Sequence, residues 1–156
     1  ISLSGPKYLR LNRQPQEYFH YEESFSFGKP DTILNGSNLL VITQGAPTIE
    51  AHKAITKLDN KEQVGLIAIS SLPLDPESYL EYLNKYSKIL IIEDHFSIGG
   101  ITDSILNLIA VNKLTIDIDF ISVNDYGQSG DPKDLYKRYS LDEQGIADRI
   151  SKMLNE

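Results

Sequence analysis

Lys88-Ile89-Leu90-Ile91-Ile92-Glu93-Asp94-His95-Phe96-Ser97-Ile98-Gly99-Gly100-Ile101 carries the reading of the chain. Its apolar residues run without alternation, which is the pattern of a strand buried on both faces. Two acids and a histidine end the run, and two glycines open a segment, residues 100–112, in which Ile101, Ile105, Leu108 and Ile109 recur at helical spacing. A strand apolar on both faces that leads into an amphipathic helix is half of a parallel β-α-β unit.

The same alternation extends in both directions. Upstream, the spacing predicts a helix over residues 47–58, with Ala51, Ala54, Ile55 and Leu58 on one face, a strand over 64–69 and a short helix over 76–86. Downstream, it predicts a strand over 115–123. The loop Asn124-Asp125-Tyr126-Gly127-Gln128-Ser129-Gly130 then leads to Asp131-Pro132, an N-cap followed by a first helical position. A last helix is expected to open at Ser140, with Glu143 completing a capping box and Ile146, Ile150, Met153 and Leu154 inward. Thr32-Ile33-Leu34, the turn Asn35-Gly36-Ser37 and the run Leu39-Leu40-Val41-Ile42-Thr43 predict a hairpin. The same Asn-Gly-Ser matches the glycosylation acceptor pattern, and in a cysteine-free chain the turn reading is preferred. The expected fold class is α/β, a largely parallel sheet with helices on both faces.

Near the amino terminus, residues 7–13 alternate, with Leu9 and Leu11 on one side, and predict a half-buried strand. Residues 14–30 lose that period and mix aromatics with acids, as a linker at a domain boundary does. The chain opens Ile1-Ser2-Leu3-Ser4, with neither an initiator methionine nor a signal segment, so it is expected to be cut from a longer polypeptide.

Composition excludes several classes. The 156 residues suit one domain, since a domain takes about 150. Lysine plus arginine number 15 against 22 aspartates and glutamates, and the net charge of −7 argues against nucleic acid or an anionic membrane as partner. No apolar run approaches the roughly 20 residues of a membrane span. The absence of cysteine excludes disulfides and thiolate chemistry and fits a reducing compartment, so cytoplasm is the expected location.

Open α/β sheets bind ligands beyond the carboxyl ends of their strands, which directs attention to the loops there. In the first, His95 is a candidate general acid or base, and the amides after Gly99 and Gly100 are a candidate anion site. Glu93 and Asp94 lie beside that position and repel a phosphate, so the preferred reading has the histidine and carboxylates bonding the loop backbone. Gly127-Gln128-Ser129-Gly130 lacks the lysine-serine pair of a P-loop and reads as a turn feeding a capped helix. Gln44-Gly45-Ala46-Pro47 is a weak ligand signal. His20 and His52 lack neighbours at metal-ligand spacing, and no hydrolytic triad is supported. Arg10 and Arg13 project to opposite faces of the predicted strand; one could grip a phosphate bidentately, with simple ion pairing as the alternative.

Three stretches together resemble the C-terminal domain of transketolase. They are Ile89 through Ile101 with its Glu-Asp-His and Gly-Gly, Val123-Asn124-Asp125-Tyr126-Gly127-Gln128-Ser129-Gly130-Asp131-Pro132 with the helix that closes the chain, and Gly5-Pro6-Lys7-Tyr8-Leu9-Arg10-Leu11-Asn12-Arg13-Gln14. The chain is more loosely similar to deoxyxylulose-phosphate synthase and to the β subunits of 2-oxo-acid dehydrogenases. The resemblance implies a three-layer domain with a five-stranded mixed sheet whose first strand runs antiparallel to the rest. It implies that residues 1–14 are the last strand of a preceding pyrimidine-binding domain, 15–30 a linker and 31–156 the C-terminal domain proper. It further implies a homodimeric parent that moves a two-carbon ketol unit between sugar phosphates with thiamine diphosphate and Mg2+, neither expected on this piece alone. Arg13 takes the place of the arginine that holds the substrate phosphate, and no catalytic residue is carried over. The departure at Ile101-Thr102, where relatives have a smaller second residue, and the length of the acidic-aromatic linker leave the branch of the family open. The alternatives are a partner-docking or regulatory module of a related thiamine-diphosphate enzyme and a nucleotide-binding regulator acting through Gly99-Gly100.

Overall fold

The computed structural model describes residues 4–11 and 25–156. Five strands form one sheet: β1 (Pro30–Leu34), β2 (Leu39–Thr43), β3 (Val64–Ile69), β4 (Lys88–Ile92) and β5 (Asp117–Ile121). Their order is β1-β3-β2-β4-β5, with β1 antiparallel to β3 and every other pairing parallel. The helices are α1 (Pro47–Lys57), α2 (Pro76–Leu83), α3 (Ile101–Val111), α4 (Pro132–Arg138) and α5 (Glu143–Asn155). The α/β class, the mixed sheet and its antiparallel first strand agree with the sequence reading.

Strands β2 and β4 occupy the centre, and their unalternated apolar runs serve both faces. Leu39, Val41, Leu90 and Ile92 point to one side, where they meet Ala51, Ala54 and Ile55 of α1 and Ile146, Ile150 and Met153 of α5. Leu40, Ile42, Ile89 and Ile91 point to the other, against Tyr79 and Leu83 of α2 and Ile101, Ile105 and Ile109 of α3. Two cores share one sheet, which is why the helical stripes recur along the chain.

The expected hairpin does not form. Strand β1 pairs with β3, and β2 lies between β3 and β4. Both edges of fully buried β2 are taken by parallel partners, while β1, only partly buried along its length, suits the sheet's edge. Gly36 therefore serves a crossing, not a two-residue turn. The connection passes over the start of β3, where the amides of Ser37 and Asn38 donate to Gln63 O and the Tyr86 hydroxyl donates to Gly36 O at 3.0 Å. A Cβ on Gly36 would fall 2.1 Å from the Gly65 nitrogen.

The last helix also starts later than expected. Ser140 has φ +58 and closes α4, with Leu141 N donating to Tyr136 O and Ser140 N to Lys137 O, the double bond of a Schellman turn. Asp142, not Ser140, caps α5 by accepting from the Gly145 amide at 3.1 Å. Asp131 caps α4 through the Lys133 amide, and Pro132 follows it, as the sequence indicates. The predicted strand at residues 7–13 is absent from the described part of that stretch: residues 7–11 have no regular structure, and Leu9 and Leu11 are 65% and 77% exposed. Strand conformation needs a neighbour to complete its hydrogen bonds, and none of the five strands offers one here. The rest of that strand, with Arg13 and most of the expected linker, lies outside the described residues.

Candidate functional site

The carboxyl edge of the sheet reverses its winding between β2 and β4, the place where a doubly wound sheet receives a ligand. Helix α3 begins there, at Ile101, after an extended Gly100 that has no capping side chain of its own. The cap comes from Glu93, one residue beyond β4 and 1% exposed. Its Oε2 accepts from the Ile101 amide at 2.9 Å, and its Oε1 accepts from the Thr102 amide at 3.2 Å and the Thr102 hydroxyl at 2.5 Å. One turn out, the Asp103 carboxylate accepts from the Gly99 amide at 2.6 Å, and Gly99 has φ +76. The amides and dipole that favour an anion thus hold anions already, supplied by the chain.

Gly100 makes that cap fit. A Cβ there would lie 2.0 Å from Glu93 Oε2 and 2.6 Å from the Phe96 carbonyl oxygen, so the second glycine of the pair admits a carboxylate from within. His95 is exposed, and its Nδ1–H donates to Phe96 O at 2.9 Å. It borders a cleft of about 360 Å³ with Phe96, Val123, Gln128, Leu135 and Tyr136. The Tyr136 hydroxyl crosses that cleft to Asp94 at 3.1 Å; burial and then the neighbouring carboxylate push its ionisation well above the ordinary tyrosine range. Three residues on from Tyr136, the Tyr139 hydroxyl donates to Asp125 at 2.5 Å, and that bond, with Arg138 beside it, holds the Asp125 carboxyl below its usual value.

The structure thus gathers His95, Gly99 and Gly100 around one helix start. The preferred sequence reading, in which the histidine and carboxylates bond the loop backbone, is what the folded chain shows: Glu93 takes the Ile101 and Thr102 amides and His95 the Phe96 carbonyl. Which of the two adjacent acids serves as the cap was not legible in the sequence; it is Glu93 because Gly100, without a Cβ, leaves room for its carboxylate. Thiamine diphosphate with Mg2+ requires a free cradle for two phosphates and a group of oxygen ligands. The described residues do not fit that need: α3's first amides are taken, and no group of three or more His, Asp or Glu able to hold a metal occurs among them. No helix among them is long and apolar enough to cross a membrane.

Fold and site together define a three-layer α/β domain in which the helix start at the switch point of the sheet is capped by the chain's own carboxylate. The family model described as transketolase, C-terminal domain, matches residues 28–146. A putative transketolase C-terminal section from Methanocaldococcus jannaschii is 32% identical over 154 residues, covering 94% of this chain and 47% of that protein. A 1-deoxy-D-xylulose-5-phosphate synthase from Caldanaerobacter subterraneus is 31% identical over 138 residues, 85% of this chain and 22% of the synthase. Among solved structures, a split-gene transketolase described as an inactive β4 tetramer superposes with a TM-score of 0.78 at 22% identity, over 90% of this chain and 46% of that one. The chain belongs to the transketolase C-terminal domain family. It spans about half the length of the Methanocaldococcus relative and about a fifth of the synthase.

Proposed function

We propose that this chain is the C-terminal domain of a transketolase that transfers a two-carbon ketol unit from a ketose phosphate to an aldose phosphate. In this reading the domain is a scaffold that supports a homodimer, and the partners are the remainder of the transketolase polypeptide and its sugar phosphates, in the cytoplasm. The observation that carries it is the match of residues 28–146 to the transketolase C-terminal domain family; the self-capped helix, in which Glu93 takes the first amides of α3, leaves that helix start no free cradle for an anionic cofactor. Thiamine diphosphate, bound to residues outside this domain, supplies the electron sink of the transfer. Arg13 contributes a guanidinium at the rim of that site, where two parallel N–H bonds suit a phosphate better than a lysine would.

Two measurements test the reading. Calorimetry on the 156-residue chain should show no thiamine diphosphate binding at micromolar concentration, and micromolar affinity would overturn it. In the assembled enzyme, Arg13→Ala should raise KM for phosphorylated sugars about tenfold or more, as loss of one charge-assisted bidentate contact does, while unphosphorylated substrates change little. Equal losses for both would remove the phosphate role.

A further inference from the structure

A second hollow, of about 240 Å³, lies beyond β5 and is walled by Phe120, Ser122, Asn124, Arg138, Ser140 and Arg149. Helices α4 and α5 deliver one guanidinium each to it, and among the described residues both retain most of their donors. A guanidinium has five N–H groups. Arg138 makes one side-chain hydrogen bond, to Asp125 at 3.4 Å, and that carboxylate is already held by Tyr139 at 2.5 Å. The same guanidinium lies over the Tyr139 ring, whose centre is 5.8 Å away, and beside that residue's hydroxyl. Arg149 donates once, from Nη1 to Asp119 at 2.5 Å. Both nearby carboxylates are therefore engaged, and two partly used forks remain at one hollow in a chain whose net charge is −7.

The hollow also has a fixed polar floor. Ser122, 4% exposed, donates its hydroxyl proton to Asn124 Oδ1 at 3.0 Å, which orients that amide and leaves its NH2 as a donor. Ser140 adds a hydroxyl. Phe120, 39% exposed, supplies an apolar wall. Four donor groups of three kinds with one flat apolar surface match an anion that carries a carbon skeleton.

We propose that this hollow binds a phosphate monoester dianion, with Arg138 and Arg149 on the phosphate oxygens, Asn124 Nδ2 and the Ser140 hydroxyl completing the donors, and Phe120 against the organic portion. Arg charge persists at every physiological pH, and the planar fork matches phosphate geometry. The proposal is independent of Arg13 and of the thiamine reaction.

The test is a titration of isotope-labelled protein with inorganic phosphate, ribose 5-phosphate and adenosine monophosphate at constant ionic strength, with sodium chloride as control. Saturating amide shifts at Ser122, Asn124, Arg138 and Arg149 are expected, stronger for an organic phosphate than for inorganic phosphate; the better of the two esters identifies a sugar phosphate or a nucleotide as the source. Arg149→Gln and Asn124→Asp should each weaken binding about tenfold or more, since each removes a donor to a charged acceptor. Asn124→Asp keeps the acceptor for Ser122, so an unchanged unfolding midpoint separates lost binding from lost fold. Arg13→Ala should leave these shifts intact, which keeps this site distinct from the proposed reaction centre. Equal shifts with chloride, equal affinity for inorganic and organic phosphate, or unchanged binding in both variants would overturn the proposal.

Discussion

The loops that follow β4 and β5 leave neighbouring strands at the same edge of the sheet, yet they dispose of their polar groups in opposite ways. The first turns inward: Glu93 is buried against three donors of α3, Asp103 takes the Gly99 amide, and Gly100 has no room for a Cβ. The second turns outward: Tyr126 is 92% exposed, Gly127 has nothing within 4 Å of its Cβ position, and Asp125 meets the exposed side chains of Arg138 and Tyr139. Similar compositions of acid, aromatic and glycine thus produce a closed structural joint in one place and an open surface in the other. What separates them is whether a helix start lies directly beneath the carboxylate, because unpaired amides in a dry interior demand a partner.

The sharpest way to break this contrast is at the buried carboxylate. Glu93→Ala leaves two amides and a hydroxyl without partners and should cost about 3 kcal/mol or more, while Glu93→Gln, which keeps one acceptor, should cost about 1 kcal/mol. Denaturant unfolding of the two variants checks the order, and equal small losses would mean that water replaces the cap. Gly100→Ala comes next, at about 2–3 kcal/mol, because the new methyl meets a pinned carboxylate and a carbonyl oxygen. Its counterpart Gly127→Ala should change stability by less than about 0.5 kcal/mol in the same assay.

A smaller effect concerns two tyrosines. Tyr79, fully buried with a hydroxyl that has no partner among the described residues, and Tyr136 both ionise well above the ordinary value, Tyr79 through burial first and Asp31 second. Above about pH 10 unfolded tyrosines lose their protons while these two retain them, so the folded state binds more protons and stability falls as pH rises. Tyr79→Phe should flatten that alkaline decline and leave neutral-pH stability equal or slightly higher, since it removes an unsatisfied polar atom. Thermal melts between pH 7 and 11 would show it, and an unaltered alkaline slope would contradict the assignment.

Most of the architecture was legible in the residues. The strand at 64–69 falls where the apolar run predicts it, and α1 and α3 end within a residue or two of their expected limits. Their signals are local: an unalternated apolar run for the strand, helical period for α1 and α3, a proline at the first turn of α1 and a glycine before α3. Two joints were misread for one reason. Asn35-Gly36 and Ser140 each match a local motif, but Gly36 is required by the backbone of β3 and Ser140 by the end of the preceding helix. The hollow at Arg138 and Arg149 gave no sequence signal, since its walls come from β5, the loop after it, the end of α4 and the middle of α5.

The sequence by itself determined the class of fold, the alternation of strand and helix and the family, because burial on both faces of a sheet writes itself into contiguous apolar runs. Only the tertiary structure decided which strand β1 pairs with, what fills the start of α3 and which guanidiniums share a hollow. Those are contacts between distant segments, and their energy depends on what a neighbouring backbone leaves unpaired, which no single stretch of residues encodes.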